Sequence, residues 1–252
     1  MKTQKNVWIT GASTGIGAET ALQMAKAGWH ILASARSEEK LQKLAENTQS
    51  YAGKVTPVPC DVTNFQQVQD CFEKMEAEHG PIDLVLLNAG TYFPDSSSDF
   101  TAEAFKKTFD INVNGVANCL EPVLKSMRAR KSGHIAIVAS VAGFRGLPKS
   151  LSYGPTKAAL INMTEALYME CKPLGIKVQV VNPGFVKTPL TDKNDFHMPM
   201  LMPVEDAAAA LIKGLNSNQF EIVFPWLFVY LTKLVGLLPN KAYLWLVGQL
   251  KR

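Results

Sequence analysis

The chain has 252 residues, enough for one α/β domain or two small ones, and 47% of them are hydrophobic, enough for a full core. Its net charge of +4 is small and spread along the sequence, which argues against a nucleic-acid-binding surface. The four cysteines are far apart and form no Cys-x-x-Cys motif, so we predict no metal site, no disulfide and a reducing, cytoplasmic setting. The short polar start before the first apolar run leads us to expect no signal peptide.

Short apolar runs alternate with stretches of helical periodicity along the whole chain. We predict strands over residues 7–10, 31–35, 55–59, 84–87, 135–139, 178–181 and 221–224, and helices over residues 16–27, 38–47, 64–78, 105–130, 152–174 and 204–216. Gly28 should end the first helix, Asn64 and Ser152 should cap theirs, and the 105–130 helix carries a candidate break at Gly115. This alternation predicts an α/β, doubly wound (Rossmann-type) parallel sheet with helices on both faces, which binds ligands at the carboxyl ends of its strands.

A glycine-rich loop, Thr10-Gly11-Ala12-Ser13-Thr14-Gly15-Ile16-Gly17, follows the first strand and opens the first helix. Glycines permit a tight turn and let the backbone approach a pyrophosphate, which the free N–H groups of a helix start can bind. The spacing differs from the dinucleotide fingerprint Gly-x-Gly-x-x-Gly. We expect a nucleotide here, contacted by Gly11, Ser13, Thr14, Gly15, Ile16 and Gly17. An ordinary glycine-rich turn is the alternative.

The end of the second strand indicates which nicotinamide dinucleotide would bind. An acidic residue there binds the ribose 2′-hydroxyl of NAD, whereas a basic one accepts the 2′-phosphate of NADP. This chain has Arg36 and no acidic residue until Glu38. Arg36, with Ser13 or Ser37, could hold a phosphate through charge-assisted hydrogen bonds. We therefore favour NADP(H), the alternative being a surface arginine at the end of a strand.

A tyrosine and a lysine one helical turn apart, with a serine upstream, indicate hydride transfer. Tyr153 and Lys157 share a helix face, and Ser140 follows an apolar strand. Reducing a ketone places negative charge on its oxygen, which an acid must protonate and a hydrogen-bond donor must polarise. We expect the Lys157 ammonium, with a cationic oxidised nicotinamide, to lower the pKa of Tyr153 from about 10. Ser140 could instead be a turn serine. A second pair, Tyr168 and Lys172, has no serine partner, and we interpret it as structural.

With four further segments these motifs resemble the short-chain dehydrogenase/reductase family, in order, over about residues 5–224. The segments are Asp61-Val62, Asn88-Ala89-Gly90, the 111–115 stretch Ile-Asn-Val-Asn-Gly, and the 183–188 stretch Pro-Gly-Phe-Val-Lys-Thr. The resemblance implies that Asp61 and Val62 lie beside the adenine ring. It implies that Asn88, Ala89 and Gly90 support the sheet and border the cofactor. It also implies contacts to the nicotinamide half from Pro183, Gly184, Val186 and Thr188.

The same resemblance implies a catalytic tetrad of Asn112, Ser140, Tyr153 and Lys157. In that family the lysine also binds the nicotinamide ribose, and the asparagine holds a water in a proton relay to the lysine. Every tetrad position of this sequence matches the family pattern. The resemblance therefore predicts an active enzyme.

The fold does not specify the substrate. We expect the pocket to be lined by residues 92–94, 144–147 and 185–202, of which the last includes Phe196, Met198, Met200, Leu201 and Met202. Aromatic and methionine side chains suit a large apolar ligand, unless they only cover the core. Arg145 and His197 could meet a polar end of the substrate or could lie on the surface.

We predict a single oxidoreductase domain over residues 1–252, with residues 225–252 as its apolar C-terminal helical extension. Three interpretations of this tail stay open: it packs on its own domain or on a second subunit, it lies on a membrane surface, or it spans a membrane. We expect an ordered cover that closes one side of the substrate site, or extends an apolar surface leading to it, and that shields Trp226, Phe228, Tyr230 and Trp245 from water. The basic residues of the tail would face solvent or phospholipid headgroups: Lys233, Lys241, Lys251 and Arg252.

Taken together, the sequence predicts an NADP(H)-dependent oxidoreductase that transfers a hydride between nicotinamide and a carbonyl or secondary alcohol. Its partner would be an apolar or lipid-like small molecule, and the protein would form a homo-oligomer, with peripheral membrane contact through the tail as a further option. Two alternatives on the same fold are a catalytically silent NADP-binding scaffold and a lipid-binding protein.

Overall fold

The computed structural model describes residues 5–194 and 196–249, and within that range seven parallel strands form one sheet with helices on both faces. The strands lie in the order β3-β2-β1-β4-β5-β6-β7. They are β1 (Asn6–Thr10), β2 (His30–Ser34), β3 (Lys54–Pro57), β4 (Leu84–Leu87), β5 (Gly133–Val138), β6 (Ile176–Pro183) and β7 (Glu221–Phe224). The helices are α1 (Gly15–Lys26), α2 (Glu38–Glu46), α3 (Phe65–His79), α4 (Ala102–Phe109), α5 (Gly115–Arg130), α6 (Tyr153–Cys171), α7 (Val204–Leu215), α8 (Trp226–Gly236) and α9 (Asn240–Gly248). The predicted doubly wound α/β fold is confirmed.

The two faces of the sheet carry separate apolar cores because side chains alternate along each strand. Trp8 points to the face covered by α3, α5 and α6, where it packs against Phe72 with ring centroids 5.8 Å apart. Its neighbours Val7 and Ile9 point to the opposite face, which α1, α2 and α7 cover. Burial on both faces explains why the central strands read as continuous apolar runs in the sequence.

The order of the strands reverses between β1 and β4. From β1 the chain continues to β2 and β3 on one side of the sheet, and from β4 it continues to β5, β6 and β7 on the other. The glycine loop follows β1, and Asn88 to Gly90 follow β4. Ligands of doubly wound sheets bind in the crevice that such a reversal opens at the carboxyl ends of the strands. The fold therefore brings the predicted nucleotide motifs to one crevice.

Two features of the predicted helices differ in the structure. The 105–130 helix begins earlier, at Ala102, and a π-helical turn over Asp110–Asn114 divides it immediately before Gly115. The prediction that Ser152 caps its helix is wrong, because its hydroxyl donates to the carboxylate of Asp95 instead of accepting from the helix backbone. The Asn64 cap is confirmed, since its side chain accepts a hydrogen bond from the Gln67 amide at 3.1 Å.

The tail forms two ordered helices, α8 and α9, which pack on the domain with one side only. Phe228 and Tyr243 face inward, and Tyr243 is buried. The expectation that all the tail aromatics are shielded is wrong for the single chain, because Trp226, Tyr230 and Trp245 are largely exposed. Neither helix, nor any other within residues 5–194 and 196–249, is long and apolar enough to cross a bilayer. Lys251 and Arg252, whose placement toward solvent or headgroups was predicted, lie outside the described residues.

Candidate active site

The glycine loop is built so tightly that side chains are excluded at its glycines. Gly11 and Gly15 have positive φ angles of 66° and 58°, which glycine adopts without strain. A Cβ on Gly11 would lie 2.8 Å from the Ala89 Cα, and one on Gly17 would lie 2.5 Å from both the Gly11 carbonyl oxygen and the Asn88 Nδ2. Backbone therefore approaches backbone here, as a phosphate-binding turn requires.

Asn88 and Thr10 join the end of β4 to this loop. The Asn88 side-chain amide donates to the carbonyls of Thr10 and Gly11, each at 3.1 Å. In return, the Thr10 hydroxyl accepts from the backbone amides of Asn88 at 3.0 Å and Ala89 at 3.1 Å. These reciprocal bonds hold the loop against the neighbouring strand, which is a supporting role rather than a ligand contact.

A cleft of about 480 Å³ opens over the loop at the carboxyl edge of the sheet. The predicted cofactor residues that line it are Gly11, Ser13, Thr14, Gly15, Ile16, Arg36, Asp61, Val62, Asn88, Ala89, Gly90 and Thr188. Gly17 does not line it and instead packs beneath Gly11. Helix α1 starts into this cleft with no side-chain cap on Thr14 and no acidic residue in its first turn, so its first N–H groups suit an anion.

Basic side chains gather where the cleft passes the end of β2. Arg36 is exposed there, and Ser13 and Ser37 line the same cleft. Lys40, one turn into α2, also lines it, although the sequence analysis did not select it. Counting every basic residue from the end of β2 through the first turn of α2 would have found it. The donors suit a phosphate monoester, so this end of the cleft fits the 2′-phosphate of NADP.

The part of the cleft where the adenine ring is predicted to lie is shaped by a close approach between the loop after β3 and helix α5. A Cβ on Gly115 would lie 2.7 Å from the Val62 Cγ2, so only glycine lets the two segments meet. The Asn118 amide donates to the Val62 carbonyl at 2.9 Å. The Asp61 carboxylate accepts from the backbone and hydroxyl of Thr63 at 3.0 and 2.8 Å. These bonds fix Asp61 and Val62 at the rim of the cleft.

A second, smaller cavity of about 190 Å³ adjoins the cleft and is lined by three of the predicted catalytic residues. It is lined by Ser140, Tyr153 and Lys157 together with the predicted residues Pro183, Gly184, Val186 and Thr188. Tyr153 opens helix α6, Lys157 lies one turn later, and Ser140 hydrogen-bonds the Tyr153 hydroxyl. The structure thus brings the three side chains together from the loop after β5 and from α6.

The electrostatics of this cavity are dominated by burial. Burial raises the pKa of Tyr153 to about 12, although the hydrogen bond with Ser140 acts in the opposite direction. Burial also lowers the pKa of Lys157 to about 8, and its ammonium donates to the Val138 carbonyl at 2.9 Å. The predicted lowering of the Tyr153 pKa needs the cationic oxidised nicotinamide as well as Lys157, whose ammonium lies 5.5 Å from the ring centroid, so it stays a prediction for the protein with its cofactor.

Asn112 lies in the π-helical turn between α4 and α5 and is fully buried. Its Oδ1 accepts from the Thr91 amide at 2.7 Å, and its Nδ2 donates to the Thr91 carbonyl at 3.0 Å and to the Thr156 hydroxyl at 3.1 Å. Thr156 in turn donates to the Tyr153 carbonyl at 2.7 Å. The extra residue of a π turn often marks a functional site. Here it carries Asn112 to the base of helix α6, and sequence reasoning did not identify Thr156.

A buried carboxylate, also missed by the sequence analysis, holds the start of α6. Asp95 accepts from the backbone amide of Ser152 at 3.2 Å and from its hydroxyl, immediately before Tyr153. Three residues earlier in the same loop, the Tyr92 ring packs edge-on against Tyr153 with centroids 5.1 Å apart. One loop therefore fixes both the backbone and the ring of the tyrosine.

The segments expected to line the substrate pocket do so only in part. Tyr92, Leu147, Phe185 and Phe196 line the cavity that contains Tyr153. Met198, Met200, Leu201 and Met202 are not among its lining residues, and Met200 and Leu201 are exposed. Arg145 does not line it either, because its guanidinium stacks on Tyr243 in the tail at 3.8 Å. Within the described residues no cluster of side chains could hold a metal ion.

Comparisons with known proteins agree with this geometry. The chain matches the short chain dehydrogenase family over residues 5–198. It is 37% identical to an uncharacterized oxidoreductase from Myxococcus xanthus, over 93% of each chain. Among solved structures, the protein ElxO with NADP bound has a TM-score of 0.80 and 29% identity, covering 89% of this chain and 99% of its own. A short-chain dehydrogenase from Sphingobium yanoikuyae in complex with NADPH has a TM-score of 0.80 and 25% identity, covering 94% and 97%. This chain belongs to the short-chain dehydrogenase/reductase family of NAD(P)-dependent oxidoreductases.

Proposed function

We propose that this protein is an NADPH-dependent reductase that converts the carbonyl group of an apolar small molecule to a secondary alcohol. The observation that carries the proposal is the trio of Ser140, Tyr153 and the buried Lys157, which together line a cavity that adjoins the phosphate-binding cleft. Arg36 and Lys40 at the far end of that cleft support NADP rather than NAD. NADP-bound structural neighbours support the same choice.

Bound NADPH supplies the hydride, and the residues of the chain manage the charge that the transfer creates. Ser140 donates a hydrogen bond to the carbonyl oxygen and so polarises it. Tyr153 donates its phenolic proton to that oxygen as the carbonyl group becomes an alkoxide. A pKa raised to about 12 keeps Tyr153 protonated at neutral pH, the form in which it can donate the proton that a reduction needs.

Lys157 and Asn112 act on the tyrosine rather than on the substrate directly. The buried Lys157 ammonium is close enough to stabilise the phenolate formed when Tyr153 gives up its proton. Asn112 binds Thr156, which binds the Tyr153 carbonyl, so the asparagine fixes the base of the same helix turn. The proton returns to Tyr153 through Lys157, and a water held near Asn112 would complete the relay.

An apolar substrate is supported by the walls of the cavity. Tyr92, Leu147, Phe185 and Phe196 line this cavity and do not line the cofactor cleft. The proposed partner is therefore an apolar small molecule. Assembly into a homo-oligomer, a cytoplasmic location and membrane contact through the tail stay predictions.

The test is a turnover assay with purified protein, in which NADPH oxidation is followed by its absorbance. Ketones of increasing apolar size are offered with NADPH and, separately, with NADH. We expect reduction that depends on NADPH and improves with the apolar area of the ketone. Tight NADPH binding with no turnover of any ketone would instead support a silent scaffold, and faster reduction with NADH would refute the cofactor choice.

A further inference from the structure

Most of the large apolar side chains exposed within residues 5–194 and 196–249 lie in the two tail helices and the turn between them. The exposed fraction is 65% for Trp226, 64% for Leu234, 81% for Leu237 and 69% for Trp245. We call the following set the outer face: Trp226, Leu227, Tyr230, Leu231 and Leu234 of α8, Leu237 and Leu238 of the turn, and Leu244 and Trp245 of α9. Surfaces of this kind mark a binding site more often than chance exposure.

The outer face of α8 is one continuous stripe. Its members recur at helical spacing: Trp226, Tyr230 and Leu234 are four residues apart, and Leu227 and Leu231 fill the adjacent row. At about 100° per residue they fall within an arc of roughly 140°. The residues on the remaining arc, such as Phe228 and Val229, face the domain, and Val229 is fully buried. Helix α8 is therefore apolar on both sides, and the domain covers only one.

Specific contacts hold this face in place. The Arg145 guanidinium donates to the carbonyls of Gly236 and Leu238, each at 2.9 Å, and to the Asn240 side chain at 2.8 Å. The Tyr243 hydroxyl donates to the Gly146 carbonyl at 3.0 Å. The turn between α8 and α9 is thus pinned to the domain, so Leu237 and Leu238 project from a fixed base.

The charge of the tail indicates which kind of partner binds the outer face. Residues 225–252 contain Lys233, Lys241, Lys251 and Arg252 and no aspartate or glutamate. Lys233 is paired with Glu221, whereas Lys241 is exposed at the start of α9. In a two-fold interface with a second copy, equivalent patches meet, so basic residues would face a tail without carboxylates. Anionic headgroups offer the complementary charge, and tryptophan and tyrosine favour the boundary between headgroups and acyl chains.

We propose that the outer face docks on an anionic phospholipid surface, with α8 lying in the plane of the interface. The proposal deepens the function proposed above, because the inner side of the same helix adjoins the substrate cavity. Phe228 packs on Phe185 with centroids 5.3 Å apart, and Phe185 lines the cavity with Phe196, 5.9 Å away. When the protein is docked, helix α8 would separate the substrate cavity from the lipid in which an apolar ketone dissolves.

The test is flotation of the full-length protein with vesicles of phosphatidylcholine, with and without phosphatidylserine. We expect binding to the anionic vesicles that weakens as salt rises and is much weaker on phosphatidylcholine alone. The double variant Leu234→Gln with Leu237→Gln should bind about tenfold more weakly or worse, since two exposed apolar contacts are lost. Met169→Gln, at a methionine 66% exposed on helix α6, is the matched control and should bind like the wild type.

A charge variant separates the electrostatic part. Lys241→Glu should weaken binding to phosphatidylserine vesicles by at least about fivefold and leave the weak binding to phosphatidylcholine unchanged. All the altered side chains are exposed, so thermal unfolding should match the wild type and exclude misfolding. No flotation with anionic vesicles would overturn the proposal. So would a wild-type dimer that the double variant converts to monomer, because the face would then be a contact between copies. Since flotation needs no turnover, a failed reductase assay would leave this result standing, and the reverse also holds.

Discussion

Replacing Tyr153 with phenylalanine removes one hydroxyl and keeps the ring that packs against Tyr92 at 5.1 Å. If Tyr153 supplies the proton, the variant must draw it from water. General acid catalysis is worth about 10²–10⁴-fold, which is about 2.7–5.5 kcal/mol at about 1.36 kcal/mol per tenfold. The cleft for the adenosine half does not include this residue, so cofactor affinity should change little. We therefore expect kcat for ketone reduction to fall by at least about a hundredfold.

The chain contains its own control for this substitution. Tyr168 has a lysine at the same spacing, Lys172, whose ammonium lies 5.6 Å from its ring centroid, compared with 5.5 Å for Lys157 and Tyr153. The pairs differ in surroundings, because Tyr168, near the end of α6, packs on Phe220 at the edge of the core and lines no part of the catalytic cavity. Tyr168→Phe should leave kcat near the wild-type value. Steady-state kinetics and NADPH titration of both variants decide the matter, and near-normal turnover by Tyr153→Phe would show that the acid is misassigned.

Three further outcomes are expected. Arg36→Ala should weaken NADPH binding by roughly 1.5–3 kcal/mol and leave NADH binding unchanged, as measured by fluorescence titration. Asp95→Ala, which frees Ser152 beside the tyrosine, should lower kcat while NADPH affinity stays constant, and Asp95→Asn should restore part of the loss because it keeps one acceptor. His30 is buried, and burial, with the charges of Lys54 and His79, lowers its pKa to about 4 from about 6.5 when unfolded. The unfolded state then binds more protons between those values, so the free energy of unfolding should fall by up to about 3 kcal/mol as pH drops through that window. Denaturant titrations at several pH values should show a flatter dependence for His30→Gln.

The parts of the site that sequence predicts are those set by local geometry. The glycine loop follows from three glycines between a strand and a helix, and the structure shows why two of them, Gly11 and Gly17, leave no room for a Cβ. Likewise, the spacing of Tyr153 and Lys157 is one turn of one helix, so it survives folding unchanged. Patterns of this kind need no knowledge of which distant segments meet.

Long-range partners are the parts that sequence does not predict. Asp95 and Ser152 are 57 positions apart, and Asn112 and Thr156 are 44 apart. Neither pair forms a motif, because the contact depends on how loops close over the sheet. The capping prediction for Ser152 is wrong for this reason: a serine before a helix caps its backbone by default, and only the buried Asp95 carboxylate offers a stronger partner. The same holds for the raised pKa of Tyr153, which depends on burial rather than on the lysine one turn away.

The tail shows why burial cannot be inferred from apolar composition alone. We predict from the sequence that Trp226, Phe228 and Tyr230 are all buried in one cover, since exposing aromatic rings to water is unfavourable. Helix α8 has apolar residues on opposite sides, so its sequence does not indicate which side is buried, and packing on the domain decides this. Gly184 places Phe228 on the buried side of α8, because the Phe228 ring lies next to Phe185 and only 2.6 Å from where a Cβ of residue 184 would be. The opposite side keeps its unfavourable contact with water after folding is complete. Docking on the proposed anionic lipid surface would remove that contact, and a tail without carboxylates would not be repelled there.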